Sequence, residues 1–405
     1  MLPTPEESIQ NNQFNIVVSR VLSIEDITWG EPKQKYLVRY RGKLLTDSAI
    51  AFDQLSKDLR PLGVTPQFRM EQDSHSITLL SGVFKSSPSN PWINLALFII
   101  TLFSVIFAGA LYAYQGPIST DNIQMFQLFL SSLITGVPFA VSMLAILLAH
   151  EFGHYLAARY HKTNVTLPYF IPFPLSPFGT MGAFIQLKEP PKNKRIMLDI
   201  GIAGPLAGLV VAIPVLFIGL SLSQVNKLPL FPATDQGLSL EGNSILYLFI
   251  KFVALGKLLP APISYGGTNP LLYWLGYWLT GQPLPWGGID VTLHPIAWAG
   301  WAGLLVTALN LVPAGQLDGG HLLYVLLGNK ARRFIPVILV ILLLLGVVWS
   351  GWWLWAVLIF VFGRTYAEPL DQITELDPKR RGLAILGIIL FFLVFTPVPL
   401  TVIIG

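Results

Sequence analysis

The sequence predicts an α-helical polytopic membrane protein, with about 6–8 transmembrane helices preceded by a small soluble α+β domain. Three observations predict it. The 405 residues are 53% hydrophobic and 12% charged, more apolar surface than a soluble globule of ordinary composition keeps out of water. Several apolar stretches reach the ~20 residues that a helix needs to cross a ~30 Å hydrocarbon core. Charge is gathered at one end: residues 1–85 hold ten acidic and ten basic side chains, and the remainder is sparse in both.

Residues 1–85 are expected to form the soluble domain, a βαββ-like module. Alternating stretches near Phe14 to Val21, Lys35 to Arg41 and Pro66 to Leu80 suggest strands, and Asp47 to Leu59 has helical spacing with Asp47 or Ser48 as its N-cap. Met1 to Gln10 are polar and acidic, unlike a secretory signal, so insertion is expected to use an internal helix. Ser86 to Pro91 reads as a linker, and 92–405 as the membrane domain. Spans are expected near 93–114, 134–158, 196–222, 296–314 and 383–403. Phe334 to Gly363 is too long for one helix, and the basic residues at both of its ends favour a hairpin with Trp349, Trp352, Trp353 and Trp355 at the far turn. Ile245 to Leu259 and Leu271 to Thr280 read as interfacial helices or a further hairpin. Of the Lys and Arg residues beyond position 85, only Lys227, Lys251 and Lys257 fall between Ser223 and Leu293, which places the N-terminal domain and the ends of the second and fourth spans in the cytoplasm.

Composition also excludes chemistry. Cysteine is absent, so there is no disulfide framework, thiolate nucleophile or Cys-type zinc site. The net charge of +4 lies largely beside hydrophobic spans, so nucleic acid is not expected as a partner. No internal repeat is visible.

His150, Glu151, Phe152, Gly153 and His154 spell HEFGH near the end of an apolar run. One turn separates the two imidazoles, so both project from one helix face and fit a tetrahedral metal ion, with Glu151 as general base. The alternative is a pair of helix-end histidines satisfied by backbone or water. Polar groups at that depth are costly unless paired or hydrated, and a metal supplies the compensation. Zinc held by two histidines needs a third protein ligand to leave one position open. NLVPAGQLDGG, from Asn310 to Gly320, offers Asp318 at the same end of its span, with Pro313, Gly315, Gly319 and Gly320 to unwind the helix and turn it inward. Alternatively, Asp318 only caps a helix from His321 to Leu327.

HEFGH paired with N-x-x-P-x-x-x-x-D-G resembles the site-2 protease family of intramembrane zinc metalloproteases, and NLVPAGQLDGGH with the charged N-terminal module is similar to its cyanobacterial and chloroplast branch. The similarity covers about 130–325 firmly. It implies that His150, His154 and Asp318 ligate one Zn2+, that Glu151 is catalytic, and that three core helices enclose the site. It further implies substrates that are membrane proteins with a transmembrane helix, in a bacterial cell membrane, or the thylakoid if the source is cyanobacterial. Asn310 is implied to hold substrate backbone or orient the Asp318 loop. The 160–195 connection is too short for the PDZ module of some relatives.

Leu167 to Pro191 is too rich in proline for a helix, and irregular backbone at membrane depth must be buried or line a cavity. Gly182 to Leu187 is expected to present a strand edge to an extended substrate, with Gly182 and Phe184 as contacts; the alternative is an interfacial connector. The Gly and Ala residues around Gly204 and Gly300 are expected to permit close helix packing. His161, His294 and His321 carry no assigned role. The competing function is a non-proteolytic metal-binding transporter or chaperone-like scaffold. Oligomeric state has no signal.

Overall fold

The computed structural model describes residues 5–30, 36–84, 89–114, 116, 121–230, 238–363 and 365–403. Half of the expected linker, 86–88, therefore lies outside the described residues. The N-terminal part runs α1 (Pro5–Ser19), β1 (Leu22–Trp29), β2 (Tyr36–Leu44), α2 (Ser48–Leu59), β3 (Val64–Glu71) and β4 (Ser74–Ser81). Its four strands form an antiparallel sheet in the order β1-β2-β4-β3. Asp47 caps α2 by accepting from the Ala49 and Ile50 amides.

The module is thus αββαββ, which corrects the βαββ expectation in two places. Phe14 to Val21 lies mostly in α1: Phe14 and Val18, four residues apart, are both buried while Ile16 is exposed, so the helical period wins over apparent alternation. Strand β1 was hidden because its register shifts between Ile24 and Asp26, a bulge that interrupts the two-residue pattern.

The protein is a polytopic helical membrane protein. Among the described residues four helices are long and apolar enough to span: Pro91–Ala113, Leu133–Tyr160, Lys194–Ser221 and Asp318–Val348. In chain order the helices are α3 (Pro91–Ala113), α4 (Asn122–Ser131), α5 (Val137–Tyr160), α6 (Lys194–Ser221), α7 (Ile245–Leu255), α8 (Pro270–Thr280), α9 (Pro295–Asn310), α10 (Asp318–Leu327), α11 (Ile335–Val348), α12 (Gly351–Phe362) and α13 (Pro378–Val394). Helices α9 and α13 are shorter than the spans expected there, at 16 and 17 residues. Pro295 opens α9, and the expected 383–403 span ends at Val394 because Pro397 and Pro399 cannot continue a helix. The chain then forms β10 (Leu400–Ile403), antiparallel to β8 (Leu238–Glu241). Helices α11 and α12 make the expected hairpin, and at its turn Trp352 donates from Nε1 to the Pro397 carbonyl.

Helices α5, α6 and α9 pack closely because small residues let their backbones meet. A Cβ on Gly153 would lie 2.5 Å from the Ala203 carbonyl oxygen, one on Gly219 2.1 Å from the Ala297 nitrogen, and one on Gly300 2.9 Å from the Leu216 Cα. The hairpin of β5 (Tyr169–Pro172) and β6 (Thr180–Phe184) lies against α3, whose buried polar residues hold it. Asn94 donates to the Leu167 and Pro168 carbonyls, and Ser104 to that of Gly179. Gly179 has φ +72°, and a Cβ there would meet Ser104 backbone at 2.5 Å.

At the end of the bundle away from the N-terminal domain, β7 (Gln224–Lys227) pairs with β9 (Ile289–Thr292) near a buried charge cluster. Lys251, 0% exposed, lies 3.5 Å from Glu241 and over the Tyr247 ring, and the Tyr247 hydroxyl donates to Glu241. Burial and the neighbouring Glu241 push the buried Asp290 carboxyl up to about 7. Removing one member of a buried ion pair typically costs ~3–5 kcal/mol, whereas replacing both by apolar groups is far milder. Lys251→Met is therefore expected to lower thermal stability sharply, and Lys251→Met/Glu241→Leu to recover much of the loss in the same melting assay. Because the Asp290 carboxyl is raised on folding, its contribution is fully present at acid pH and is lost as pH rises through about 7. Melting temperatures should fall across that interval, and less so in Asp290→Asn.

Candidate metal centre

Near the C-terminal end of α5, His150 and His154 project one turn apart and are both buried. After α9 ends at Asn310, Leu311–Leu317 forms a turn in which Gly315 has φ +57°. Asp318 is the first residue of α10. Its carboxylate does not merely cap that helix: Oδ2 lies 3.3 Å from His150 Nε2 and 3.3 Å from His154 Nε2, and the two Nε2 atoms are 3.2 Å apart. These three form the one group of three or more metal-ligating side chains found among the described residues.

The spacing tests the donors against a metal. Ligands ~2.0–2.1 Å from a tetrahedral zinc ion are separated by ~3.3–3.4 Å, close to the observed edges. Two nitrogens and one carboxylate oxygen also form a donor set suited to zinc that leaves a fourth position open. His154 Nδ1 lies 2.7 Å from the Ile200 carbonyl oxygen, so its N–H donates there and Nε2 presents a lone pair to the site. Helix α6 lies close enough to supply that carbonyl because a glycine faces the ring: a Cβ on Gly204 would sit 2.0 Å from His154 Nε2.

Glu151, 4% exposed, lies near the Ile185 amide just beyond β6. Both face a cavity of about 810 Å³ lined by the three donor residues, the 183–187 backbone segment, Asn310 and His321. Among the described residues, β5 is the one strand that pairs with β6. Of the candidate substrate contacts, Phe184 lines the cavity and stacks on Tyr169, and Asn310 lines it with Nδ2 3.3 Å from His150 Nε2. Gly182 is on the same strand, but the cavity wall begins at Ala183. Among the unassigned histidines, His321 lines the cavity with Nδ1 buried and unpaired, His161 pairs with Asp199 at 2.9 Å, and His294 caps α9.

Residues 138–348 match the model of peptidase family M50. The chain belongs to this family. Among its M50 relatives are proteins described as probable zinc metalloprotease EGY1, chloroplastic. The one from Oryza sativa subsp. japonica is 31% identical over 78% of this chain and 52% of its own length; that from Arabidopsis thaliana is 30% identical over 65% and 43%. A probable zinc metalloprotease EGY2, chloroplastic, from Oryza sativa subsp. indica is 27% identical over 76% and 50%. The chain thus spans about half the length of the curated relatives it matches. No solved structure matches. The M50 motifs were legible as side chains. The Ile200 carbonyl and Ile185 amide were not, because a backbone group carries no residue identity.

Gly204→Ala is expected to push the His154 ring out of place and reduce bound zinc well below one per chain, measured by elemental analysis of purified protein. Gly276→Ala, whose Cβ meets nothing within 4 Å, should leave the metal content unchanged.

Proposed function

We propose that the chain is an intramembrane zinc metalloprotease that hydrolyses peptide bonds in membrane proteins bearing a transmembrane helix. The observation that carries this reading is the His150–His154–Asp318 triangle, with the Glu151 carboxylate in the same cavity. A zinc ion bound there would polarise the scissile carbonyl and lower the pKa of a bound water. Glu151 takes the proton from the attacking water and returns it to the leaving amine. Ile185, beside it, lines the same cavity.

A protease must receive extended backbone, and β6 ends at the cavity, whose wall Ala183 and Phe184 line together with Glu151. A substrate segment unwound from its helix would pair there as an added strand, with Phe184 as side-chain contact, Gly182 admitting close approach, and Asn310 hydrogen-bonding its backbone. In this reading 1–85 is the soluble domain, 86–91 the linker and 92–405 the membrane domain, with α5, α6 and α9 enclosing the site within 130–325. Beyond the four helices long and apolar enough to span, the reading takes α9, α12 and α13 as shorter crossings and α11 as the spanning part of Asp318–Val348, seven in all with α3, α5 and α6. That count puts β8 and β10 on the same far side, in keeping with their pairing. The Lys and Arg distribution favours a cytoplasmic N-terminal domain and active-site end, in a bacterial cell membrane or a thylakoid.

Purified protein incubated with a model transmembrane-helix substrate should cut it, and a chelator should stop the reaction. Glu151→Gln is expected to lower the rate by roughly 10³-fold with zinc still near one per chain. Cleavage by that variant at the wild-type rate would show that another group is the base.

A further inference from the structure

Between α12 and α13 the chain runs as an extended strap over 365–376, and two partners hold it. On one side it extends the N-terminal sheet: Phe68 of β3 donates its amide to the Leu370 carbonyl, Gln372 donates to that of Phe68, and Phe68 and Asp371 form a parallel bridge. On the other side Leu370 and Asp371 donate to the Pro191 and Lys192 carbonyls, and Asp371 bridges Asn193. The soluble sheet therefore continues through the strap to the segment that leads from β6 into α6. Pro191 and, within the strap, Ala367 both line the metal cavity.

Polar groups fix the docking. Asp371 is 0% exposed and accepts from the Ser48 hydroxyl at the start of α2, the Thr374 hydroxyl, and the Ile373 and Thr374 amides. Arg69 donates from Nη1 to the Pro369 and Leu370 carbonyls and pairs with Glu368. Leu370 joins the hydrophobic core of the domain. Two ion pairs, Lys192–Asp53 and Arg195–Asp47, add to the junction. A domain that served only as an insertion aid would need none of these ties to the cavity.

We propose that the docked strap is a specificity element: the N-terminal domain holds it beside the cavity, barring unfolded polypeptide that arrives from the aqueous side while leaving lateral entry through the membrane. Arg69 and Asp371 are its positioning residues; neither touches substrate. The inference rests on the proteolytic reading above.

The test compares cleavage of a transmembrane-helix substrate with cleavage of casein, an unfolded soluble chain, by full-length protein in proteoliposomes. Wild type should cut the helix and spare casein. Arg69→Ala and Asp371→Asn should cut casein about tenfold faster than wild type, with the helix rate and zinc content little changed and the strap amides exchanging faster with deuterium. Because the chain has no cysteine, Arg69→Cys/Gln372→Cys gives a switchable clasp between neighbouring strands: oxidised, it should spare casein; reduced with a phosphine, it should cut it. This pair also serves if a single variant misfolds. The proposal is overturned if strap amides are released while casein cleavage stays at the wild-type level, if the oxidised clasp cuts casein as fast as the reduced one, or if wild type already cuts casein freely. Failure of wild type to cut the helix at all would instead remove the proteolytic reading on which the strap proposal rests.

Discussion

Two imidazoles and two carboxylates inside an apolar helix bundle cannot remain there as separate polar groups. Each would cost several kcal/mol if left dehydrated and unpaired. Convergence of His150, His154 and Asp318 to within 3.3 Å makes that burial sustainable when a divalent ion is shared among them. Much of the fold follows from the need to bring α5 and the start of α10 together with helix α6 between their supports. Small residues at the contacts of α5, α6 and α9 do this by allowing backbone to approach backbone, and Gly204 allows it beside the His154 ring itself.

A second constraint is the fate of backbone polar groups at depth. The 161–193 connection is not helical along its length, so its carbonyls and amides need partners inside the protein. Asn94 and Ser104, polar residues in the mostly apolar α3, satisfy carbonyls of Leu167, Pro168 and Gly179 in that connection. The β5–β6 hairpin also meets the chemistry directly, because Ala183, Phe184 and Ile185 line the cavity that holds Glu151. At the opposite end of the bundle, Tyr247 donates to Glu241 and Lys251 pairs with the same carboxylate at 3.5 Å, which ties the end of β8 to α7.

The chain's elements differ in how plainly they read. The helices α3, α5 and α6 were legible because apolar length alone identifies a span. The α11–α12 hairpin was legible because basic residues flank it and tryptophans mark its turn. Asp47 at the start of α2 was legible as a side-chain cap. The N-terminal element was not: Phe14 to Val21 fits both a two-residue and a 3.6-residue period, and packing of Phe14 and Val18 decides between them. The end of α13 is not legible in the sequence, because hydrophobicity persists past Val394 while Pro397 and Pro399 and the pairing with β8 redirect the chain.

By itself the sequence determined the solvent, the approximate spans and the donor set, since apolar length, charge placement and the HEFGH and NLVPAGQLDGG spacings are properties of side chains in order. Tertiary structure decided which backbone groups support those donors, that Phe184 rather than Gly182 reaches the cavity wall, and that a strap from 365–376 joins the N-terminal sheet to the cavity. Those outcomes depend on hydrogen bonds between segments up to about three hundred residues apart, such as Phe68 with Leu370. Amides and carbonyls are alike in nearly every residue, so only their arrangement in space gives them distinct roles.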